Sequence, residues 1–151
     1  MTTKLSLANL GKLQKNVAIP QYSRQDLRAG ILHFGIGNFH RAHLQVYLDR
    51  LMNTGRDRDF AILGAGVTPY DIKMRDALRG QDWLSTVVEQ SAEKSQARVT
   101  GVMTDFLPPM DGRAIVAAPD AVGADPPEGA GVAVDPRGPA DRLAGLAGDR
   151  H

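Results

Sequence analysis

The stretch Gly35-Ile36-Gly37-Asn38-Phe39-His40-Arg41-Ala42-His43 decides the fold. It follows a short apolar run, Ile31-Leu32-His33-Phe34, that predicts a strand. It opens a segment with apolar residues at 39, 42, 46 and 47, and again at 44, 48, 51 and 52, which predicts a helix over 39–53. Asn38 is its expected N-cap and Gly55 its stop. Strand, two closely spaced glycines, then helix is the arrangement that cradles a dinucleotide's pyrophosphate. Gly35 would allow the tight turn, and Gly37, lacking Cβ, would let a phosphate approach the main chain. The helix would direct free N–H groups and its positive dipole end at the same place, with His40 and Arg41 adding donors and charge. His40 stands where the general pattern has a third glycine. The competing reading is a strand-to-helix turn that binds nothing.

Outward from this turn the elements alternate. Leu5 to Leu13 predicts a short helix, with Leu5, Leu7, Leu10 and Leu13 as its apolar positions. Ala18 to Tyr22 reads as an extended lead-in, because Pro20 biases Ile19 away from helix. Phe60 to Leu63 predicts a second strand entering a Gly64-Ala65-Gly66 turn. Thr68-Pro69-Tyr70-Asp71 predicts a helix start, with Thr68 as cap and Pro69 first in the helix, running to about Leu78 and ending at Gly80. Trp83 to Glu89 and Ala97 to Met103 are β-rich runs whose seven-residue separation suits a hairpin and leaves no room for a crossover helix. The order implies an α/β domain with a mostly parallel sheet plus a hairpin.

A dinucleotide site also needs an acceptor for the ribose hydroxyls, usually ~20 residues on, at the end of the second strand. That count from Gly37 lands on Asp57, in the polar turn before the strand; Asp71, after the strand, is better placed. Asp71 reads equally as a helix-capping carboxylate, and the two roles are compatible. His40 and His43, three apart on a helix and near His33 in sequence, lack the companion ligands of a zinc site. No nucleophile elbow, P-loop lysine motif or paired-carboxylate arrangement is present, so no catalytic residue is assigned.

The 151 residues carry a net charge of +1, which excludes a strong electrostatic footprint for nucleic acid or anionic membrane. No run approaches the ~20 apolar residues of a membrane span, and Met1 to Leu7 lacks the apolar core of a secretory signal. The absence of cysteine excludes disulfides and thiolate chemistry. A cytoplasmic protein is expected. Beyond Ala118 the composition changes: Ala, Gly, Pro, Asp, Val and Arg supply 29 of the 33 residues in 119–151. Such a segment buries too little apolar surface to offset its ordering entropy, so disorder is expected. All six types have GC-rich codons, so the segment reads either as natural low complexity or as a GC-rich gene translated out of frame.

The run Gly35 to His43 resembles the GxGxFHRAH segment of the polyol-specific long-chain dehydrogenases, a family that includes mannitol 2-dehydrogenase, arabinitol dehydrogenase and the fructuronate and tagaturonate reductases. Leu51 to Gly55, Gly64-Ala65-Gly66, Met74 to Leu78, Gln81 to Leu84 with Thr86 and Glu89, and Arg98 to Gly101 are most similar to the mannitol dehydrogenases. The resemblance spans about Leu5 to Ala118. It implies a Rossmann-type domain binding NAD, followed by a large helical substrate domain, and it makes His40 part of the family pattern. It implies cofactor contacts from Phe34, Gly35, Ile36, Gly37, Asn38, Phe39, His40, Arg41, Ala42, His43 and Asp71. Asp71 matches an acidic residue that favours NAD over NADP; the preceding position, acidic in some members, is Tyr70. The family's lysine general base and its asparagine and histidine helpers have no match in this chain.

The expected organisation is a lead-in over 1–28, a partial dinucleotide-binding domain over 29–118, and the Ala/Gly/Pro-rich tail over 119–151. The expected function is the NAD-binding part of an enzyme that moves hydride between nicotinamide and a polyol or ketose, truncated and inactive by itself. The alternatives are a fragment that neither folds nor binds, and a free-standing nucleotide-binding module.

Overall fold

The computed structural model describes residues 2–13 and 15–122. The expected disorder over 119–151 falls mostly outside them. Two three-stranded sheets carry the fold. The first is wholly parallel, in the order β2 (Ala29–Phe34), β3 (Ala61–Ala65), β6 (Met103–Phe106). The second places β5 (Ser95–Thr100) between β1 (Val17–Ala18), parallel to it, and β4 (Ser85–Gln90), antiparallel to it.

The glycine turn joins β2 to α1 (Asn38–Ala42) and α2 (Leu44–Met52), which together form the crossover that parallel pairing of β2 and β3 requires. The single helix expected over 39–53 is thus two. The break falls at His43, whose backbone (φ −117°, ψ −75°) is distorted within the right-handed helical region, so the main-chain bonds His43 N to Phe39 O and Tyr47 N to His43 O (both 3.0 Å) run on through it. Neither proline nor glycine marks the break. The expected cap also moves: Gly37 is the N-cap, and Asn38 is the first helical residue. After the break Gln45, Val46, Asp49 and Met52 form the buried face, while Phe39, Tyr47 and Leu51 are exposed.

β3 is buried along its whole length, as a central parallel strand must be. It extends through Ala65, so Gly64 lies in the strand and not in a turn. A Cβ on Gly64 would stand 3.0 Å from Phe106 Cδ2 and 3.1 Å from Ile36 Cγ1, so its absence lets the glycine-turn isoleucine and β6 close over the strand. α3 (Tyr70–Arg79) follows and ends at Gly80 as expected, with Pro69 rather than Thr68 assigned as cap. The hairpin of β4 and β5 forms in full register from Ser85 opposite Thr100 to Gln90 opposite Ser95.

Two features exceed the sequence reading. The run expected to end the hairpin continues through Gly101-Val102 into β6, crossing from one sheet to the other, and the lead-in contributes β1. The N-terminal helix is a single 3-10 stretch, Leu7–Lys12. A core of Tyr22, Ile36, Met52, Ile62, Leu78, Val102, Met103 and Phe106 binds the parallel sheet to α2 and α3. The last helix, α4 (Gly112–Ala121), is capped by Asp111, whose carboxylate accepts from the Arg113 and Ala114 amides (both 3.1 Å).

Candidate functional site

The parallel order β2–β3 brings the ends of two strands side by side. Phe34 pairs with Ala65, and the Gly35 amide donates to Ala65 O (2.9 Å). The glycine turn therefore sits beside the Gly66–Asp71 segment that leaves β3. This is the carboxyl edge of a parallel sheet, where open α/β folds bind ligands. Asp57 precedes β3 and lies at the opposite end, roughly 17 Å away for a five-residue strand, so it is no partner for the turn.

The two glycines of the turn differ in what requires them. Gly35 has φ +80°, a left-handed conformation that side chains resist, so the chain path itself demands glycine there. Gly37 has φ −75°, open to any residue, and a Cβ built on it meets no atom within 4 Å. Nothing in the fold requires glycine at 37. The exposed main chain has room for a ligand group where a side chain would otherwise project, which is the fit a pyrophosphate needs.

Asp71 is held beside the turn by capping bonds. Its Oδ2 accepts from the Thr68 amide (2.9 Å), the Thr68 hydroxyl (2.7 Å) and the Val67 amide (3.1 Å). Burial works the other way, yet these donors leave its carboxyl below the usual range. Its capping role is thus realised, and Oδ1 makes no hydrogen bond to the described residues. Gly66 makes the placement possible: a Cβ there would lie 2.5 Å from Asp71 Cβ.

Around the turn Ile36 is buried in the core, and Asn38 accepts from Arg41 Nη2 (2.6 Å). Phe34 and Phe39 are exposed, and the Phe39 ring lies against His43, with centroids 4.5 Å apart. Gly35, Gly37, Asn38, Phe39, Ala42 and Asp71 thus lie at the open edge of the sheet, while Ile36 and His40 are buried. Of the three histidines weighed together, the His33 and His40 rings lie against each other, with centroids 4.0 Å apart, while His43 is exposed against Phe39.

His40 is buried, and burial, reinforced by the neighbouring His33 and Arg41, pushes its pKa down to about 4. A histidine free in the unfolded chain titrates near 6.5. The unfolded state therefore binds the proton first as pH falls, and stability present above pH 6.5 drains away toward pH 4. Urea unfolding is expected to show wild type losing about 2 kcal/mol relative to His40→Gln between pH 7.5 and 5. Asp49, whose burial raises its carboxyl pKa, acts in the opposite sense in both proteins and cancels in the comparison. Parallel pH profiles for the two proteins would refute the assignment.

Sequence reasoning missed four buried polar residues: Gln45, Asp49, Ser85 and Thr100. The signal was present in part, because 45, 49 and 52 share one face of α2 with Val46, the face that had to be buried. A cavity of about 480 Å³ lined by Arg24, Arg75, Arg79, Asp82, Trp83 and Asp105 shares no residue with the turn. Two of its three arginines are engaged by main chain: Arg24 donates to the Asp82 (2.6 Å) and Met103 (2.7 Å) carbonyls, and Arg75 Nε to Phe106 O (2.7 Å). Among the described residues no helix is long and apolar enough to cross a membrane.

A parallel strand pair, a glycine turn with open space at its second glycine, and a carboxylate after the neighbouring strand define a Rossmann-type fold. Residues 29–124 match the family model described as the mannitol dehydrogenase Rossmann domain, and the chain belongs to that family. It is 48% identical over 122 residues to mannitol 2-dehydrogenase of Pyricularia oryzae, covering 78% of this chain and 24% of that protein. It is 52% identical over 96 residues to mannitol 2-dehydrogenase of Cereibacter sphaeroides, covering 64% and 20%. Among solved structures it is similar to Pseudomonas fluorescens mannitol 2-dehydrogenase in a ternary complex with NAD and D-mannitol. That match has a TM-score of 0.68 and 44% identity, over 70% of this chain and 22% of that one. The chain thus spans less than a quarter of the length of these relatives.

Proposed function

We propose that this chain is the NAD-binding part of a mannitol 2-dehydrogenase-like oxidoreductase. The observation that carries the reading is Gly37: a glycine that neither backbone angle nor packing requires, beside a strand end where a ligand group fits. The main chain of Gly35 to Asn38 would hold the pyrophosphate, and Asp71 Oδ1 would accept from the adenine ribose. When bound, NAD supplies the hydride acceptor for oxidation of a polyol carbon or, reduced, the donor for the ketose. The chain's own residues place the cofactor. Arg41, tethered to Asn38, lies one turn into the crossover and adds positive charge beside the phosphates.

The polyol or ketose belongs to the proposal for the whole enzyme. No residue here is assigned as its general base, and we infer that the 151 residues alone do not turn it over. Fluorescence titration of the purified chain with NADH and NADPH tests the binding reading: saturable NADH binding supports it, and its absence in a cooperatively folding chain refutes it. Mannitol-dependent NAD reduction by the chain alone would refute the inference of inactivity.

Asp71 carries a second expectation. A carboxylate beside the ribose repels a 2′-phosphate as well as accepting from a 2′-hydroxyl. Asp71→Ser, which keeps a capping oxygen, is expected to weaken NADH binding and raise the NADPH-to-NADH affinity ratio about tenfold or more, a change worth roughly 1.4 kcal/mol per decade. An unchanged ratio would leave Asp71 as a cap only.

A further inference from the structure

A line of buried polar groups runs from the hairpin sheet to the glycine turn. Thr100 of β5 donates its hydroxyl to Gln45 Oε1 (3.0 Å), with Ser85 O also 3.4 Å away. The Gln45 amide nitrogen lies 3.1 Å from His40 Nε2. Gln45, Thr100, Ser85 and His40 are all at least nine-tenths buried. With Oε1 facing the hydroxyl, Gln45 turns its NH₂ to the ring, and an amide nitrogen only donates. His40 Nε2 must then accept, which places the ring proton on Nδ1. Nδ1 is itself buried and has no hydrogen-bond partner among the described residues.

Leaving a buried donor unmade is costly, and native structures rarely do so without a use. We propose that Gln45 is a positioning residue which, oriented by Thr100, fixes His40 as the Nδ1–H tautomer and so keeps a hydrogen-bond donor ready for an acceptor oxygen of the dinucleotide. The ligand half of this inference rests on the cofactor reading above; the tautomer half does not. The hairpin sheet thereby becomes part of the binding site although none of its residues belongs to the glycine turn. The neutral ring fits the same geometry, because protonation at Nε2 would set two donors face to face and add charge beside His33 and Arg41.

Long-range ¹H–¹⁵N spectra of the full 151-residue chain distinguish the two nitrogens of each ring, and His40→Gln identifies the His40 signals among the four histidines. At pH 7 without cofactor, His40 is expected with Nδ1 protonated and Nε2 bare. Gln45→Glu presents an acceptor in place of the donor, so the proton is expected to move to Nε2. Thr100→Val releases the amide to rotate and is expected to populate the Nε2–H form even if the buried glutamate impairs folding. Each variant that folds is expected to bind NADH about tenfold more weakly, the worth of one hydrogen bond. An Nε2–H tautomer in wild type, or variants whose tautomer or NADH affinity is unchanged, would overturn the proposal. A wild-type chain with the expected tautomer that binds no NADH would overturn the cofactor reading and the ligand half together, leaving the tautomer assignment intact.

Discussion

Gly37→Val is expected to weaken NADH binding about a hundredfold while leaving the melting temperature of the ligand-free chain essentially unchanged. Phosphate oxygens reach main-chain amides only at about 2.9 Å, and a Cβ at position 37 would project into that approach. Charge-assisted hydrogen bonds of this kind contribute roughly 1.5–3 kcal/mol each, so losing one or two accounts for the factor. Stability behaves differently because residue 37 has an unstrained φ of −75° and its Cβ meets no atom within 4 Å. Gly37→Ala is the milder probe: restriction of the unfolded chain and loss of a favoured N-cap glycine oppose one another, so stability is expected to stay within about 1 kcal/mol of wild type while binding is still impaired. Gly35→Ala is the counter-case. Its φ of +80° costs an L-residue about 1–2 kcal/mol whether or not a ligand exists. Denaturation and NADH titration of the three variants therefore distinguish a glycine kept for the ligand from one kept for the chain. If the turn binds nothing, Gly37→Val will match wild type in both measurements.

The contrast between these glycines also marks how far the sequence could be read. Strand, glycine turn and helix were legible because each local signal agrees with its neighbours: an apolar run, paired glycines, then helical spacing. The hairpin was legible because its two runs are too close for a crossover. β6 was not, since Ala97 to Met103 reads as one β-rich run, and only Gly101-Val102 carries the chain between sheets. Pairing of Ile62 with Met103 is a long-range choice that no local signal announces. The break at His43 has no proline or glycine to signal it, and Phe39, an apolar position of the expected helix, is exposed. In the candidate site, Gly35 and Gly37 were readable as a motif and Asp71 from its place after the second strand, although the ~20-residue count pointed to Asp57. Gln45 and Thr100 were not, because their importance lies in each other, 55 residues apart.

The second large effect belongs to Asp49, a carboxylate with no solvent exposure on the buried face of α2. It joins three parts of the chain that the core alone would leave loosely coupled. Tyr22 of the lead-in donates its hydroxyl to Oδ1 (2.7 Å), and Arg98 of β5 and Asn53 donate to Oδ2 (both 3.1 Å). The Tyr22 oxygen accepts from the Gly101 amide in turn (3.2 Å), at the point where the chain crosses between sheets. Burial alone would push Asp49 toward neutrality and does raise its pKa, while these donors act to keep it ionised. Burial and the adjacent carboxylate likewise raise the Tyr22 phenol far above its usual range, so the hydroxyl stays a donor. Asp49→Ala strands the Arg98 charge and the Tyr22 hydroxyl, both aimed into the protein, and is expected to cost about 3–5 kcal/mol. A domain of this size has a total stability of only about 5–15 kcal/mol. The variant is therefore expected to be largely unfolded or to melt more than 10 °C lower by circular dichroism. Asp49→Asn keeps an acceptor for Tyr22 but loses the charge opposite Arg98, and is expected to fall between the two. Pairing Asp49→Ala with Arg98→Met removes both charges at once and is expected to recover part of the loss, since a matched apolar pair avoids the uncompensated ion. No recovery in the double variant would place the stabilisation in the Tyr22 bond rather than in the ion pair.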